Sequence, residues 1–155
     1  MKPKVYVETS VVSYLVASQS RDPITAARQI ITRRWWETER AKYRLVVSEI
    51  VEAECDRGDP KFAQRRREAL ELMSLFPVNK RILDIAKLLI VPGAIPEKAE
   101  PDALHIAAAA VEECEFLLTW NFRHLANVRI RREVERILAN HGYTKTTICT
   151  PEELV

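Results

Sequence analysis

Short runs of β-branched and aliphatic residues alternate along the chain with longer segments in which apolar residues recur at a helical spacing. The short runs predict strands at residues 4–8, 45–47, 116–119 and 146–149. The longer segments predict helices from about residue 10, at 23–41, from 48 onward, and at 61–75, 80–89, 101–113 and 130–141. A loop with Pro92, Gly93 and Pro96 is expected before the sixth of these helices.

Strands that alternate with helices predict βαβ units and a parallel sheet. We therefore expect an α/β fold: a single domain over residues 1–155, with a mainly parallel central sheet flanked by helices. Asp22, which precedes Pro23, and Ser48 are expected to cap the helices that follow them. Ligands of such sheets bind at the carboxyl ends of the strands, so functional side chains are expected at that edge.

The net charge of the 155-residue chain is only +2, so bulk charge does not indicate a nucleic-acid-binding protein. Basic residues nevertheless concentrate in three runs, which are either solvated helix faces or contacts for a phosphate backbone. The runs are Arg28, Arg33, Arg34, Arg40, Lys42 and Arg44; Arg65, Arg66 and Arg67; and Arg129, Arg131, Arg132 and Arg136.

The chain has three cysteines, Cys55, Cys114 and Cys149. Their number is odd, their spacing is wide, and they form no Cys-x-x-Cys motif. This pattern argues against a disulfide scaffold or a structural zinc site, and we expect reduced thiols in a cytoplasmic protein. The N-terminus lacks the basic-then-apolar pattern of a signal peptide. No apolar run approaches the roughly 20 residues that span a bilayer, so no membrane association is expected.

Four polar stretches interrupt apolar surroundings in a fixed order. They are VYVETS at residues 5–10, SEIVEAE at 48–54, PDALHIAAA at 101–109 and LLTWNF at 117–122. The candidate functional residues in them are Glu8, Glu54, Asp102 and Asn121. Three of the stretches lie at the carboxyl ends of predicted strands and therefore converge on one edge. Acidic side chains gathered there repel one another, so a cation is the expected additional partner.

Glu54 gives the sharpest local argument. On a helix, Ile50, Val51, Ala53 and Cys55 define an apolar face, and Glu54 falls inside it. Burying an unpaired carboxylate is costly, so we expect a cation beside Glu54. That cation is either a metal ion or an arginine from another helix.

The other candidates each have a plain structural interpretation when taken alone. Glu8 suits a solvent-facing strand end, Asp102 suits the first turn of a helix, and Asn121 suits a turn. His105 and His124 are interpreted as packed or surface histidines.

In order and spacing, the four stretches together resemble the PIN-domain family of metal-dependent ribonucleases, and within it the VapC-type toxins. The family's strand ending in Asp-Thr-Ser is matched by Glu-Thr-Ser at residues 8–10, and its Ser with a Glu six residues later by Ser48 and Glu54. Its Asp leading an Ala-rich helix is matched by Asp102. Its closing Thr-x-Asp or Thr-x-Asn is matched by residues 119–121. The resemblance covers nearly the whole chain.

The resemblance implies an endoribonuclease that hydrolyses RNA with Mg²⁺ (or Mn²⁺) held by Glu8, Glu54 and Asp102, with Asn121 as a fourth catalytic residue. It also implies a homodimer, a small antitoxin protein as partner, and basic runs that grip the RNA backbone. Two residues depart from the family pattern. Glu8 replaces the usual Asp, and Asn121 brings no charge.

Two alternatives stay open at this point. One is a PIN-like module that binds RNA or protein with weak or no nuclease activity, because Glu8 and Asn121 weaken the site. The other is a different acid-and-metal α/β enzyme, such as a phosphatase. Such enzymes usually begin with Asp-x-Asp at a strand end, whereas this chain has Glu-Thr-Ser.

Overall fold

A computed structural model describes residues 1–91 and 93–155, which contain a five-stranded parallel sheet flanked by helices. The strands are β1 (Lys4–Val7), β2 (Arg44–Ser48), β3 (Ser74–Phe76), β4 (Phe116–Leu118) and β5 (Thr147–Cys149). Their order in the sheet is β3-β2-β1-β4-β5, and all four pairings are parallel. The expected α/β class with a parallel sheet is therefore confirmed.

The helices connect successive strands. They are α1 (Thr9–Val16), α2 (Pro23–Thr38), α3 (Glu49–Cys55), α4 (Pro60–Leu70), α5 (Lys80–Ile90), α6 (Glu100–Val111) and α7 (Val128–Asn140). Short 3₁₀ turns occupy Arg40–Lys42 and Glu97–Ala99. None of the helices among the described residues combines the length and hydrophobicity required to cross a membrane.

Both expected helix caps are confirmed. The Asp22 carboxylate accepts a hydrogen bond from the Thr25 backbone N–H at 2.8 Å, and Pro23 occupies the first turn. The Ser48 hydroxyl accepts from the Ile50 N–H at 3.2 Å. Ser48 thus ends β2 and starts α3 within one residue, which fixes the direction in which α3 leaves the sheet.

The predicted helix at residues 61–75 is wrong at its C-terminal end. Helix α4 stops at Leu70, and the chain then enters the edge strand β3, where Leu75 pairs with Val47. Leu75 is half exposed, so β3 lacks the continuous apolar run that marks a buried strand. In the expected loop before α6, Gly93 has a positive φ of 90°, whereas Pro92 lies outside the described residues.

The core lies around the central strand β1. Val5, Tyr6 and Val7 are completely buried, between β2 on one side and β4 on the other. Helix α6 presents buried alanines, Ala107–Ala110, whose small side chains allow close packing. Because β1, β2 and β4 are parallel neighbours, their carboxyl ends meet at one edge of the sheet.

Candidate active site

All four candidate residues lie near that edge. Glu8 follows β1 directly, and its backbone N–H donates to the Leu118 carbonyl at 3.0 Å. Glu54 is near the end of α3, Asp102 is in the first turn of α6, and Asn121 lies three residues beyond β4. The convergence comes from the sheet order, since over a hundred residues separate Glu8 from Asn121.

Glu8 is a buried carboxylate with both oxygens engaged. It is only 5% exposed, so its interpretation as a solvent-facing strand end is wrong. Its Oε2 accepts from the Ser10 N–H and thereby caps α1, while its Oε1 accepts from the Thr119 hydroxyl at 2.8 Å. Glu8 therefore links β1 to the segment that follows β4.

Glu54 contacts a histidine rather than an arginine. Its Oε1 accepts from His105 Nε2 at 2.6 Å and from the Thr9 hydroxyl at 2.7 Å. Val51 and Cys55 are buried on this face of α3, whereas Ala53 is exposed, so the expected apolar face is narrower than the sequence indicated. The protein partner of Glu54 is therefore a titratable histidine, whereas the sequence analysis considered a metal ion or an arginine.

A buried hydrogen-bond network extends from Glu54 into the core. His105 is 2% exposed, and its Nδ1 lies 2.7 Å from the Tyr6 hydroxyl, which in turn lies 2.7 Å from the Ser48 hydroxyl. Burial raises the pKa of Tyr6 well above its ordinary value, so the phenol stays protonated. This hydrogen-bond network joins β1, the β2–α3 junction and α6 to the Glu54 carboxylate.

Asp102 is oriented by the segment after β4. Its Oδ1 accepts from the Asn121 side-chain amide at 3.1 Å, and its Oδ2 accepts from His124 Nδ1 at 2.9 Å. The Asn121 Oδ1 accepts from the backbone N–H groups of Arg123 and His124, both at 3.1 Å, which fixes the amide. Asp102 and Asn121 are thus direct partners.

The surroundings shift the pKa values of these groups in different directions. Burial raises the pKa of Asp102, and the hydrogen bond from His124 only partly opposes it. Burial also acts to raise the pKa of Glu54, but the hydrogen bond and charge of His105 bring it below its ordinary value. Burial acts to lower the pKa of His105, but the hydrogen bond with Glu54 and the charges of Glu8, Glu54 and Asp102 raise it. All three carboxylates therefore favour the protonated form of His105.

The donor chemistry suits a hard divalent cation, because Glu8, Glu54 and Asp102 offer carboxylate oxygens. Each carboxylate, however, faces its own hydrogen-bond donors, and among residues 1–91 and 93–155 no three ligating side chains form a group that holds a metal ion. In those same ranges, every buried side-chain nitrogen or oxygen has a hydrogen-bond partner. That the three acids share one cation stays a prediction.

Sequence reasoning missed the two histidines at this edge. The sequence alone indicates a packed helix residue at His105 and a structural or surface residue at His124, yet each contacts a candidate acid. A signal existed for both, since His105 lies one helical turn after Asp102 and His124 three residues after Asn121. Thr9 and Thr119, which donate to the acids, fall within the motifs, but the sequence pattern does not indicate their role.

Two clefts flank Glu54 and make it reachable from solvent. One, of about 620 Å³, lies between α1 and α4, and the other, of about 460 Å³, lies between α3 and the start of α6. Glu54 and the exposed Arg57 line both. A larger cleft of about 680 Å³ lies beside Glu52 and Leu75 and contains none of the candidate acids. The candidate active site is therefore identified by its acidic side chains and not by the volume of the cleft.

Many arginines of the three basic runs are engaged within the fold. Arg33 donates to the Leu15 and Ala17 carbonyls, and Arg66 donates to the Cys55 and Arg57 carbonyls. Further ion pairs join Arg67 to Asp56, Arg131 to Glu153 and Arg136 to Glu133. The run at residues 65–67 therefore holds α4 against the end of α3, whatever else it contacts.

The family of the chain is shown by its match to a protein-family model. The model described as the PIN domain matches residues 5–131, which include all four candidate residues. The chain belongs to the PIN domain family. A comparison with curated proteins gave no match.

Solved structures share the fold of this PIN domain at low sequence identity. A toxin–antitoxin complex from Klebsiella pneumoniae has a TM-score of 0.62 and 18% identity, covering 95% of this chain and 97% of that one. The sarcin–ricin loop cleaving toxin VapC20 of Mycobacterium tuberculosis has a TM-score of 0.61 and 16% identity, covering 77% and 92%. VapBC2 from Rickettsia felis, bound to a promoter DNA fragment, has a TM-score of 0.60 and 14% identity, covering 95% and 98%. At these identities the likeness shows the fold.

Proposed function

We propose that this PIN domain is a metal-dependent endoribonuclease that hydrolyses RNA phosphodiesters and acts as the toxin of a toxin–antitoxin pair. The observation that carries the proposal is the convergence of Glu8, Glu54 and Asp102 at one edge of the sheet. Thr9, next to Glu8, donates to Glu54, and the segment after β4 donates to both Glu8 and Asp102. The match to the PIN family supports nuclease chemistry at this edge.

In this proposal Glu8, Glu54 and Asp102 hold Mg²⁺ or Mn²⁺, and Asn121 completes the site. When bound, the ion supplies a water of lowered pKa and polarises a phosphodiester oxygen. Protein donors already hold each acid: Glu8 and Asp102 receive one donor on each oxygen, and Glu54 receives both of its donors on Oε1. Such outer partners orient ligands, and their loss typically costs about 10- to 100-fold in activity or metal affinity.

The neighbouring side chains hold each acid in place. His105, backed by Tyr6, orients Glu54. Thr119 orients Glu8 and also accepts the Asn121 N–H at 3.0 Å, so that one hydroxyl sets the position of two site residues. The exposed Arg57, which lines both clefts, is placed to contact an RNA phosphate beside Glu54.

The expected partners are part of the same proposal. The solved toxin–antitoxin complexes with this fold support a small antitoxin, and the loop-cleaving toxin supports an RNA substrate. A homodimer and a cytoplasmic location are proposed with them. The three cysteines are buried and unpaired, which agrees with a reducing compartment.

A second candidate function is RNA or protein binding without cleavage. It is favoured by Glu8, whose longer side chain already receives two donors in a buried position, and by Asn121, which adds no charge. The phosphatase alternative loses support because the family match is to a PIN domain.

A cleavage assay with purified protein tests the proposal. We expect an end-labelled RNA to be cut in Mn²⁺ or Mg²⁺ and EDTA to stop the reaction. Asp102→Asn should lower the cleavage rate by more than about 100-fold, because losing a ligand charge exceeds the cost of losing an orienting partner. The exposed Asp84 on α5 offers the control Asp84→Asn, which should cleave normally. If Asp102→Asn cleaves as fast as its parent, the non-catalytic function becomes the better conclusion.

A further inference from the structure

An exposed aromatic ring lies directly beside the acidic site. Phe122 is 41% exposed, and every other Phe, Tyr or Trp side chain in the part of the chain that the structure describes is less exposed. It follows Asn121, whose amide donates to Asp102. An exposed ring on a loop that is anchored to a candidate active site is a feature that core packing does not explain.

Arg28 on α2 covers this ring. Its guanidinium carbon lies 4.6 Å from the Phe122 centroid and 5.6 Å from the Trp120 centroid. The support below is rigid, because the buried Trp120 Nε1 donates to the Thr32 hydroxyl at 2.8 Å, and that hydroxyl donates to the Arg28 carbonyl at 2.6 Å. The aromatic pair and the arginine are therefore held as one unit.

The guanidinium of Arg28 differs from those of several other arginines. Arg33, Arg66 and Arg131 donate to backbone carbonyls. Within the described residues, the Arg28 guanidinium makes no hydrogen bond or ion pair, so its N–H groups remain available to a ligand. A planar cation over an aromatic ring, with free donors, is suited to stack on a nucleic-acid base and contact its phosphate.

We propose that Arg28 and Phe122 form a stacking platform for an unpaired base of the RNA next to the acidic site. This inference rests on the proposed function and narrows its substrate to single-stranded or looped-out RNA. A base inside a duplex has no free face to offer, whereas an unpaired base stacks on an aromatic ring or a guanidinium plane regardless of its identity.

Binding of a short fluorescent single-stranded RNA, measured by anisotropy in EDTA so that no cleavage occurs, tests the platform. Phe122→Leu should weaken binding about tenfold, and Phe122→Tyr should keep the affinity. Arg28→Lys should weaken binding while leaving its salt dependence unchanged, because the charge remains and the planar group is lost. An oligonucleotide of equal length with abasic sites should bind equally to parent and to Phe122→Leu.

The matched control is Arg81→Lys. Arg81 on α5 covers Tyr143 at 5.4 Å and belongs to none of the three basic runs, so this change should leave RNA binding unchanged. The platform is refuted if Phe122→Leu binds intact RNA within twofold of the parent, if it loses abasic RNA equally, or if the parent shows no preference for intact over abasic RNA. Unchanged binding by Phe122→Leu alongside normal cleavage refutes the platform alone. Base-dependent binding without cleavage in Mn²⁺ refutes the nuclease alone.

Discussion

The site contains two carboxylate–histidine pairs in different surroundings. In the inner pair, Glu54 contacts His105, which is 2% exposed and continues into the core through Tyr6. In the outer pair, Asp102 contacts His124, whose side chain is 16% exposed on the segment after β4. The two carboxylates have similar exposure, 25% and 19%, yet their pKa values shift in opposite directions.

The difference shows what each pair contributes. The lowered pKa of Glu54 means that the folded protein already stabilises its negative charge. The raised pKa of Asp102 means that its charge is poorly stabilised, because burial outweighs the donors it receives. Of these two carboxylates, Asp102 is therefore the one whose charge an added cation would stabilise more.

The largest difference between the pairs is expected in stability. His105→Leu keeps the approximate volume of the ring but removes one of two partners from Glu54 and one of two from the buried Tyr6 hydroxyl. This loss should lower the free energy of unfolding by about 2–4 kcal/mol. His124→Leu removes the corresponding partner at a more exposed position, and the loss should stay below about 1 kcal/mol. Urea denaturation in EDTA measures both values. Equal losses would show that the two pairs are equivalent.

A divalent cation should also distinguish the carboxylates. If metal binds only the folded protein, Mn²⁺ at about 100 times its dissociation constant should raise the melting temperature by roughly 5–10 °C. Asp102→Asn and Glu54→Gln should each blunt the rise, whereas Asp84→Asn should not. A melting temperature that stays constant across millimolar Mn²⁺ would contradict a cation site at this edge.

The pH dependence of metal-free stability follows from the directions of the pKa shifts. The raised pKa of His105 adds stability that is fully present below its unfolded value of 6.5 and is lost as pH rises through the folded value. The lowered pKa of Glu54 adds stability that is present above 4.5 and is lost as pH falls through the folded value. The inner pair should therefore stabilise most between these two pH values.

The pKa shift of the outer carboxylate, Asp102, has the opposite sign to that of Glu54. Its raised pKa means that Asp102 favours the fold below its unfolded value of 3.8, and that this contribution disappears as pH rises through the folded value. At pH 7 in EDTA, Asp102→Asn should therefore be more stable than its parent, whereas Glu54→Gln should not. Thermal melting in EDTA at pH 5, 7 and 9 measures both effects, and a stabilised Glu54→Gln would reverse the assignment.

The smallest expected effect is that of Asn121→Asp. The new carboxylate can still accept from the Arg123 and His124 N–H groups, but it no longer donates to Asp102. Repulsion between the two acids should lower metal-free stability by less than about 1 kcal/mol, while cleavage in Mn²⁺ should hold or rise. Paired melting and cleavage measurements check this, and a loss of cleavage would mean that the Asn121 amide itself is required.

The order of strands and helices could be predicted from local patterns. Buried strands such as Leu45–Val47 carry their own signal, and helix starts at Asp22 and Ser48 are marked by capping residues. The edge strand β3 escaped prediction because three residues with an exposed Leu75 resemble the end of an amphipathic helix. Edge strands depend on a neighbour that local sequence does not specify.

The acidic residues of the candidate site could be predicted from the sequence. The partly buried position of Glu54 on α3 and the strand-end position of Glu8 follow from periodicity and sheet geometry. The partners do not, because which group donates to a carboxylate is set by contacts between distant segments, as His105 with Tyr6 across 99 residues shows. The opposite pKa shifts of Glu54 and Asp102 depend on those contacts and therefore cannot be predicted from the sequence.

The hydrogen bond from Thr119 to Glu8 spans 111 positions of the chain. A ribosome adding about 5–20 residues per second needs roughly 6–22 s to cover that distance. Until then the nascent chain has Glu8 but neither the hydroxyl that orients it nor the β4 strand that β1 pairs with. The acidic cluster is therefore assembled only after β4 and Thr119 have been synthesised, and a product truncated before β4 cannot complete the site.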